Sequence, residues 1–127
     1  MSVPFDPKIL TRRTTADLSS SAWFLVKPSN ENNLAVAGAG ELAIGALTND
    51  VGDGTVPGGI YVPVQIGGII KAIAGGAITV GTLAMSDGSG EAVTATDGNY
   101  AFGIALGNYV DGEVGAFIWA PSYLETT

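Results

Sequence analysis

Carboxylates, Ser/Thr hydroxyls and a few amines are the side chains this sequence offers for acid–base or nucleophilic chemistry. It has no histidine, which removes a histidine general base, a Ser-His-Asp triad and imidazole metal ligation. It has no cysteine, which removes a thiolate nucleophile, a thiolate metal site and any disulfide. Asp53 and Asp111 would be the pair for glycosidase-like work, in which one carboxylic acid protonates a leaving group and the other carboxylate supports attack. Each is followed by glycine, however, and Asp-Gly is in its own right a strong hairpin-turn signal. The turn reading is preferred. Asp87-Gly88-Ser89-Gly90-Glu91 alternates oxygen ligands in the manner of a calcium loop, yet it lacks the length and the bidentate glutamate at the twelfth place. Asn49-Asp50-Val51-Gly52-Asp53-Gly54 fails on the same grounds. Gly38-Ala39-Gly40, Gly67-Gly68 and Gly75-Gly76 punctuate apolar runs, and none opens a helix followed by Lys-Ser/Thr as a phosphate cradle would. The chemistry-bearing residues therefore point away from an enzyme and call for no metal and no cofactor.

The elements that would position these residues are short. From Leu34 onward apolar runs alternate with glycine: Leu34–Ala37, Leu42–Leu47, Ile60–Ile66, Ile69–Ile73, Ala77–Val80, Leu83–Met85, Ala92–Ala95, Ala101–Leu106 and Val114–Trp119. Trp23–Lys27, aromatic and β-branched, precedes them as a further strand, and Pro28–Asn33 reads as a loop. Ile60, Val62, Val64 and Ile66 keep strict period two. Asp17–Ser21 is a polar entry suited to one helical turn with Asp17 as cap, and Ile69–Ile73 reads as a strand or a single helical turn. Trp23, Tyr100, Phe102, Phe117 and Trp119 fall inside apolar runs, so core packing is expected, with one or two at a subunit contact. Many short strands at this spacing predict an all-β fold, a small barrel or sandwich.

The chain also repeats itself. Sliding it by 58 positions lays Ala43, Gly45, Asp53, Gly54, Val56, Ile60 and Pro63 on Ala101, Gly103, Asp111, Gly112, Val114, Ile118 and Pro121, seven identities over positions 43 to 63. Average residue usage gives roughly one or two in such a window. Two equivalent hairpins of one domain are expected.

A single domain fits 127 residues, enough to bury a self-sufficient core. Charged residues are 13% of the chain, about half the usual share, leaving much small neutral surface of the kind that copies or partners cover. The charges are segregated: up to Lys27 there are four basic residues (Lys8, Arg12, Arg13, Lys27) against Asp6 and Asp17, while from Pro28 onward only Lys71 is basic against ten acids. A body of that sign repels nucleic acid and an anionic membrane. The start lacks a signal-peptide pattern and no 18-residue apolar run occurs, so a soluble product of the cytosol is expected. Residues 1–16, with Pro4 and Pro7, read as an extended N-terminal arm; 17–121 form the β domain and 122–127 a tail.

Asp17-Leu18-Ser19 leading into Trp23-Phe24-Leu25-Val26-Lys27, then Ala43-Ile44-Gly45-Ala46-Leu47, Gly76-Ala77-Ile78-Thr79-Val80-Gly81, Ser86-Asp87-Gly88-Ser89-Gly90, Ala92-Val93-Thr94-Ala95-Thr96 and Gly103-Ile104-Ala105-Leu106 together resemble the tailed-phage head decoration proteins, also called cement or capsid stabilisation proteins. The likeness runs from about Asp17 to Pro121 and rests on strand-and-turn patterns. It implies a compact β domain, usually trimeric, on the outer surface of a virion capsid where major capsid proteins meet. The arm lies outside the likeness; its own residues give it a docking role, with Lys8, Arg12 and Arg13 pairing acidic groups and Phe5, Ile9 and Leu10 packing against the shell. The alternative is a carbohydrate- or surface-binding β module of a fibre or envelope, with Trp23, Tyr61, Tyr109 or Trp119 as its platform.

Overall fold

The computed structural model describes residues 8–30 and 33–125. Their regular elements are all strands: β1 (Lys8–Thr14), β2 (Leu25–Asn30), β3 (Asn33–Val36), β4 (Gly45–Leu47), β5 (Ile60–Gly67), β6 (Ile69–Ile73), β7 (Leu83–Ser86), β8 (Ala92–Thr94), β9 (Tyr100–Ala105) and β10 (Val114–Tyr123). They form two five-stranded antiparallel sheets, ordered β1-β5-β4-β2-β3 and β6-β10-β9-β7-β8, rather than a closed barrel. Eight of the expected apolar runs, together with Trp23–Lys27, coincide with strands. Four local expectations are corrected. Pro28–Asn33 is not one loop: β2 runs on to Asn30 and β3 opens at Asn33, with Pro28 held opposite Leu34 where the ladder shifts register. Ala77–Val80 contributes one bridge, Ile78 opposite Tyr109, and no strand. Asp17–Ser21 is a turn instead of a helical one, its Asp17 carboxylate accepting the Ser19 amide at 3.0 Å and the Ser19 hydroxyl at 2.6 Å. Residues 8–14, grouped by sequence with the arm, pair with β5 along their whole length.

The second order is the first with every strand number raised by five, so the repeat extends beyond a hairpin to a whole sheet. Its hydrogen bonds keep the offset of 58: Ala37 N donates to Leu25 O at 2.9 Å as Ala95 N does to Leu83 O at 2.9 Å, and Leu47 N donates to Phe24 O at 2.8 Å as Ala105 N does to Thr82 O at 3.0 Å. Gly54 N to Ala16 O and Gly112 N to Ala74 O keep it too. Beyond that point the offset fails. Ala46 stands opposite Gln65, which at a constant offset would place Ile104 opposite Tyr123; Ile104 instead faces Ile118, five residues earlier. Thr55–Gly59, a turn-rich insertion, supplies those five residues. The identities at Ala43, Gly45, Asp53 and Gly54 are therefore structurally equivalent, whereas Val56, Ile60 and Pro63 match their partners in sequence only.

Gly45 and Gly103 carry the same constraint in the two sheets. A Cβ at Gly45 would run into the carbonyl oxygen of Gln65, and one at Gly103 into that of Ile118, so the strand crossing requires glycine at both. Each sheet also curls until its outer strands meet: the Thr14 hydroxyl donates to Leu34 O at 3.3 Å, and Gly75 N donates to Ala92 O at 2.7 Å.

The curl makes two cores. One lies inside the first sheet, from Leu18, Val26, Leu34, Leu47, Val62 and Val64, with Ile60 and Ile66 against it; this is the period-two face expected for β5. The other gathers Leu25, Ala37, Ala43 and Ala46 of the first sheet with Ile70, Ala72, Ala84, Phe102 and Phe117 of the second. Phe102 and Phe117 meet edge to face with centroids 5.1 Å apart, and burying each ring contributes about 1.5–3 kcal/mol. Pro121 sits in β10 where the ladder to β9 shifts register, the place in a strand that tolerates a missing amide hydrogen.

Candidate functional site

Exposed apolar and basic side chains meet on β1, an outer strand of the first sheet. Leu10 and Arg12 stand opposite Val64 and Val62, and Ile9, Thr11 and Arg13 opposite Gln65, Pro63 and Tyr61, so the strand's alternation sends them to two faces. Lys8, Ile9, Leu10 and Thr11 are exposed, Ile9 at 49% and Leu10 at 40%. Arg12 and Arg13 are half-buried. Arg13 is engaged within the chain: its Nε donates to Gly58 O at 2.9 Å and Nη1 to Asn33 Oδ1 at 3.4 Å. Of the six residues expected to contact a shell, the structure thus presents Lys8, Ile9 and Leu10, keeps Arg12 partly covered and commits Arg13 to the insertion loop. Phe5 lies outside the described residues.

Ile9 also lines a cleft of about 350 Å³ between the two sheets, with Trp23, Thr48, Asn49, Gln65, Ile69 and Lys71. Gln65 is the polar joint of that cleft. Its buried amide donates to Leu47 O at 3.1 Å and Lys71 O at 2.9 Å and accepts from Lys71 N at 2.8 Å, so it occupies the open edge of β6 as a strand would. Ile73 N donates to Trp23 O at 3.1 Å beside it. Trp23 holds φ = 67°, in the left-handed region, where the offset of 58 puts Gly81 with φ = 83°. A non-glycine residue there costs about 1–3 kcal/mol of backbone strain.

The acidic groups serve turns. Asp53 Oδ1 accepts from the Thr55 amide and hydroxyl at 2.9 and 2.6 Å, and Asp87 Oδ1 from the amides of Ser89 and Glu91 at 2.8 and 3.0 Å. Asp53 bridges to Asp17 in the first half, whereas Asp111 lies by Glu91 in the second, so they do not form an acid–base pair. Burial and the charges of Asp87 and Asp111 hold the Glu91 carboxyl above its ordinary range. Hydrogen bonds from the Ser19 hydroxyl and amide hold Asp17 below its range, and the Lys27 ammonium and Gly38 amide do the same for Glu41. Among the described residues no three acidic groups are placed to hold a metal ion. Nor are the aromatics expected for a sugar platform exposed together. Tyr109 and Trp119 pack against the main core, and the Tyr109 hydroxyl accepts from Ala116 N at 2.9 Å; Tyr61 alone of the four is widely exposed, at 70%.

Sequence reasoning missed one exposed aromatic pair and one apolar row of which Ile118 is exposed and the rest half-buried. Tyr100 and Tyr123 face each other across β9 and β10, centroids 4.9 Å apart. Leu83, Ile104, Ile118 and Ile69 form one row across β7, β9, β10 and β6. The signal for the row was present in Gly115–Trp119, which is apolar without alternation, as in a strand covered on both faces.

No protein-family model matches the chain, and no curated protein matches it. Among solved structures the fold is similar to the N base of the head fibre protein gp8.5 of bacteriophage phi29, with a TM-score of 0.72 and 21% sequence identity over 95% of this chain and 100% of that one. At that identity the shared property is the fold.

Proposed function

We propose that this chain is a structural protein of a phage head, a decoration subunit that sits on the outer surface of the capsid and reinforces it without catalysing a reaction. The observation that carries the reading is the likeness, along nearly the whole of both chains, to the N base of a phage head fibre protein. The resemblance of the strand-and-turn motifs to head decoration proteins supports it. The partners in this reading are the major capsid protein and other copies of the chain, as a homotrimer. Repeated copies bind a repeating shell tightly even when each contact is weak, because the second contact forms at high effective concentration.

Shell contact falls to the residues at the exposed end of β1 and before it: Phe5, Lys8, Leu10 and Arg12. Lys8 and Arg12 set association rate and salt sensitivity, and the apolar groups set residence time. Deleting residues 1–7 together with Lys8→Glu and Leu10→Ser leaves the β1–β5 ladder in place and is expected to abolish occupancy of undecorated heads, read by electron microscopy and gel densitometry. Undiminished occupancy overturns the assignment.

A second reading, that the module is the base of a head fibre, draws on the same neighbour. It requires a longer chain continuing past β10, visible as a projection on the virion.

A further inference from the structure

The two halves of the chain meet in a way that leaves one copy of each mating surface open. Within the chain, the outward row of the first sheet, Leu25–Ala46–Gln65–Ile9, receives the edge of β6: Gln65 bonds the Lys71 backbone, and Leu25 and Ala46 share a core with the second sheet. The corresponding row of the second sheet is Leu83–Ile104–Ile118–Ile69, and the strand corresponding to β6 is β1. In this register Ile118 takes the place of Gln65, and Thr11 that of Lys71. None of the four aliphatic residues belongs to either core; Leu83, Ile104 and Ile69 are half-buried, and Ile69 also borders the cleft beside Ile9. Ile118 is 42% exposed, with Leu106 at 41% and Val114 at 43% around it. Thr11 is exposed as well.

We infer that copies of this chain associate head to tail, the β1 edge of one copy seated on the Leu83–Ile104–Ile118–Ile69 row of the next, repeating between chains the contact that joins the halves within one. Charge favours this pairing. β1 carries Lys8 and Arg12, beside the internally bonded Arg13, and no acid, while from Ile69 onward the chain carries Lys71 against Asp87, Glu91, Asp97, Asp111, Glu113 and Glu125. Row against row would instead bring two acidic halves together. Substitution of Ile118 for Gln65 also fits a contact between chains, because an aliphatic row is self-sufficient once covered and leaves no amide unsatisfied before assembly. A head-to-tail contact is heterologous and closes into a ring when the rotation permits. The inference supplies a surface for the self-association in the preceding reading, and head binding is not needed for it.

The absence of native cysteine makes the test direct. Purified Thr11→Cys/Ile118→Cys protein, treated with a short bismaleimide, is expected to give a ladder of covalent oligomers ending at the ring size. Each single-cysteine variant should stay uncrosslinked. Light scattering should give an integral multiple of 12.8 kDa that holds on dilution, falling to 12.8 kDa for Ile118→Glu. A monomeric wild type overturns the inference, as does an Ile118→Glu variant of unchanged mass, or dimers crosslinked through Ile118→Cys alone. Heads decorated by a monomer would overturn this contact and spare the capsid reading; rings that leave heads bare would do the reverse.

Discussion

Replacing Gln65 by methionine removes the polar joint between the sheets while keeping the side-chain volume. Three hydrogen bonds disappear, to Leu47 O, Lys71 O and Lys71 N, and at about 1 kcal/mol net apiece they account for roughly 3 kcal/mol. The groups left behind differ. Leu47 is fully buried, so its carbonyl bears a desolvation cost of about 1–3 kcal/mol, whereas Lys71 is exposed and water can reach its backbone. Water replaces the two Lys71 bonds, so about 1 kcal/mol for the lost Leu47 bond and about 1–3 kcal/mol for its desolvation remain. The expected loss is therefore about 2–4 kcal/mol, or roughly 10 °C in Tm for a domain of this size. Urea unfolding followed by tryptophan fluorescence, at one fixed protein concentration because association also stabilises the folded state, is the assay. Gln65→Glu should be destabilising as well, and less so in acid, where a protonated carboxyl can again donate to one of the two carbonyls. A Gln65→Met midpoint within about 0.5 kcal/mol of wild type, the size of an ordinary surface change, would refute the assignment of a joint to this amide.

Two glycine substitutions separate conformational cost from collision. Gly81→Ala, at φ = 83° with open space where the Cβ would sit, should cost about 1–2 kcal/mol in chemical denaturation. Gly103→Ala, whose Cβ would meet the Ile118 carbonyl, should cost more than that and shift the β9–β10 amide resonances, since backbone must move. Glu91→Gln should raise stability at pH 7. The folded-state pKa of Glu91 is raised, so the wild type loses stability as pH climbs through that value, and the variant's advantage should vanish below about 4.5, where an ordinary glutamate titrates. Equal denaturation-midpoint differences at pH 7 and pH 4 would contradict this. For Asp17 and Glu41 the sign is opposite: both are held low, so their contribution is present at neutral pH and fades as pH falls through their lowered values, read as a smaller acid-induced loss in Glu41→Gln than in wild type.

Glycine spacing and alternation made most strands legible, because short runs bounded by turn formers admit little besides sheet; Ile69–Ile73, whose bounds were legible while a helical turn stayed open, is strand β6. The repeat was legible through Gly45 and Gly103, which a close strand crossing holds invariant between the two sheets. Its full extent was not, since five inserted residues shift β5 against β10 while chance matches at Ile60 and Pro63 preserve the ungapped alignment. β1 was hidden for a different reason. Lys8–Thr14 has too few apolar residues to show a buried face, and its strand character comes from the β5 ladder and from the curl that places Thr14 beside Leu34. Of the candidate site, the exposure of Ile9 and Leu10 could be read from their polar surroundings, whereas the capture of Arg13 by Gly58 joins residues 45 apart and leaves no local mark.

Between the last residue of β5 and the first of β6 stands Gly68 alone, at φ = 73°, with its carbonyl accepting Trp119 N at 2.9 Å. A connection that short has no slack. Bending or torque applied to one sheet must pass directly into the other, since no tether is present that could uncoil and absorb it. Under the capsid reading proposed above, each unit would stiffen the particle it covers as a solid strut.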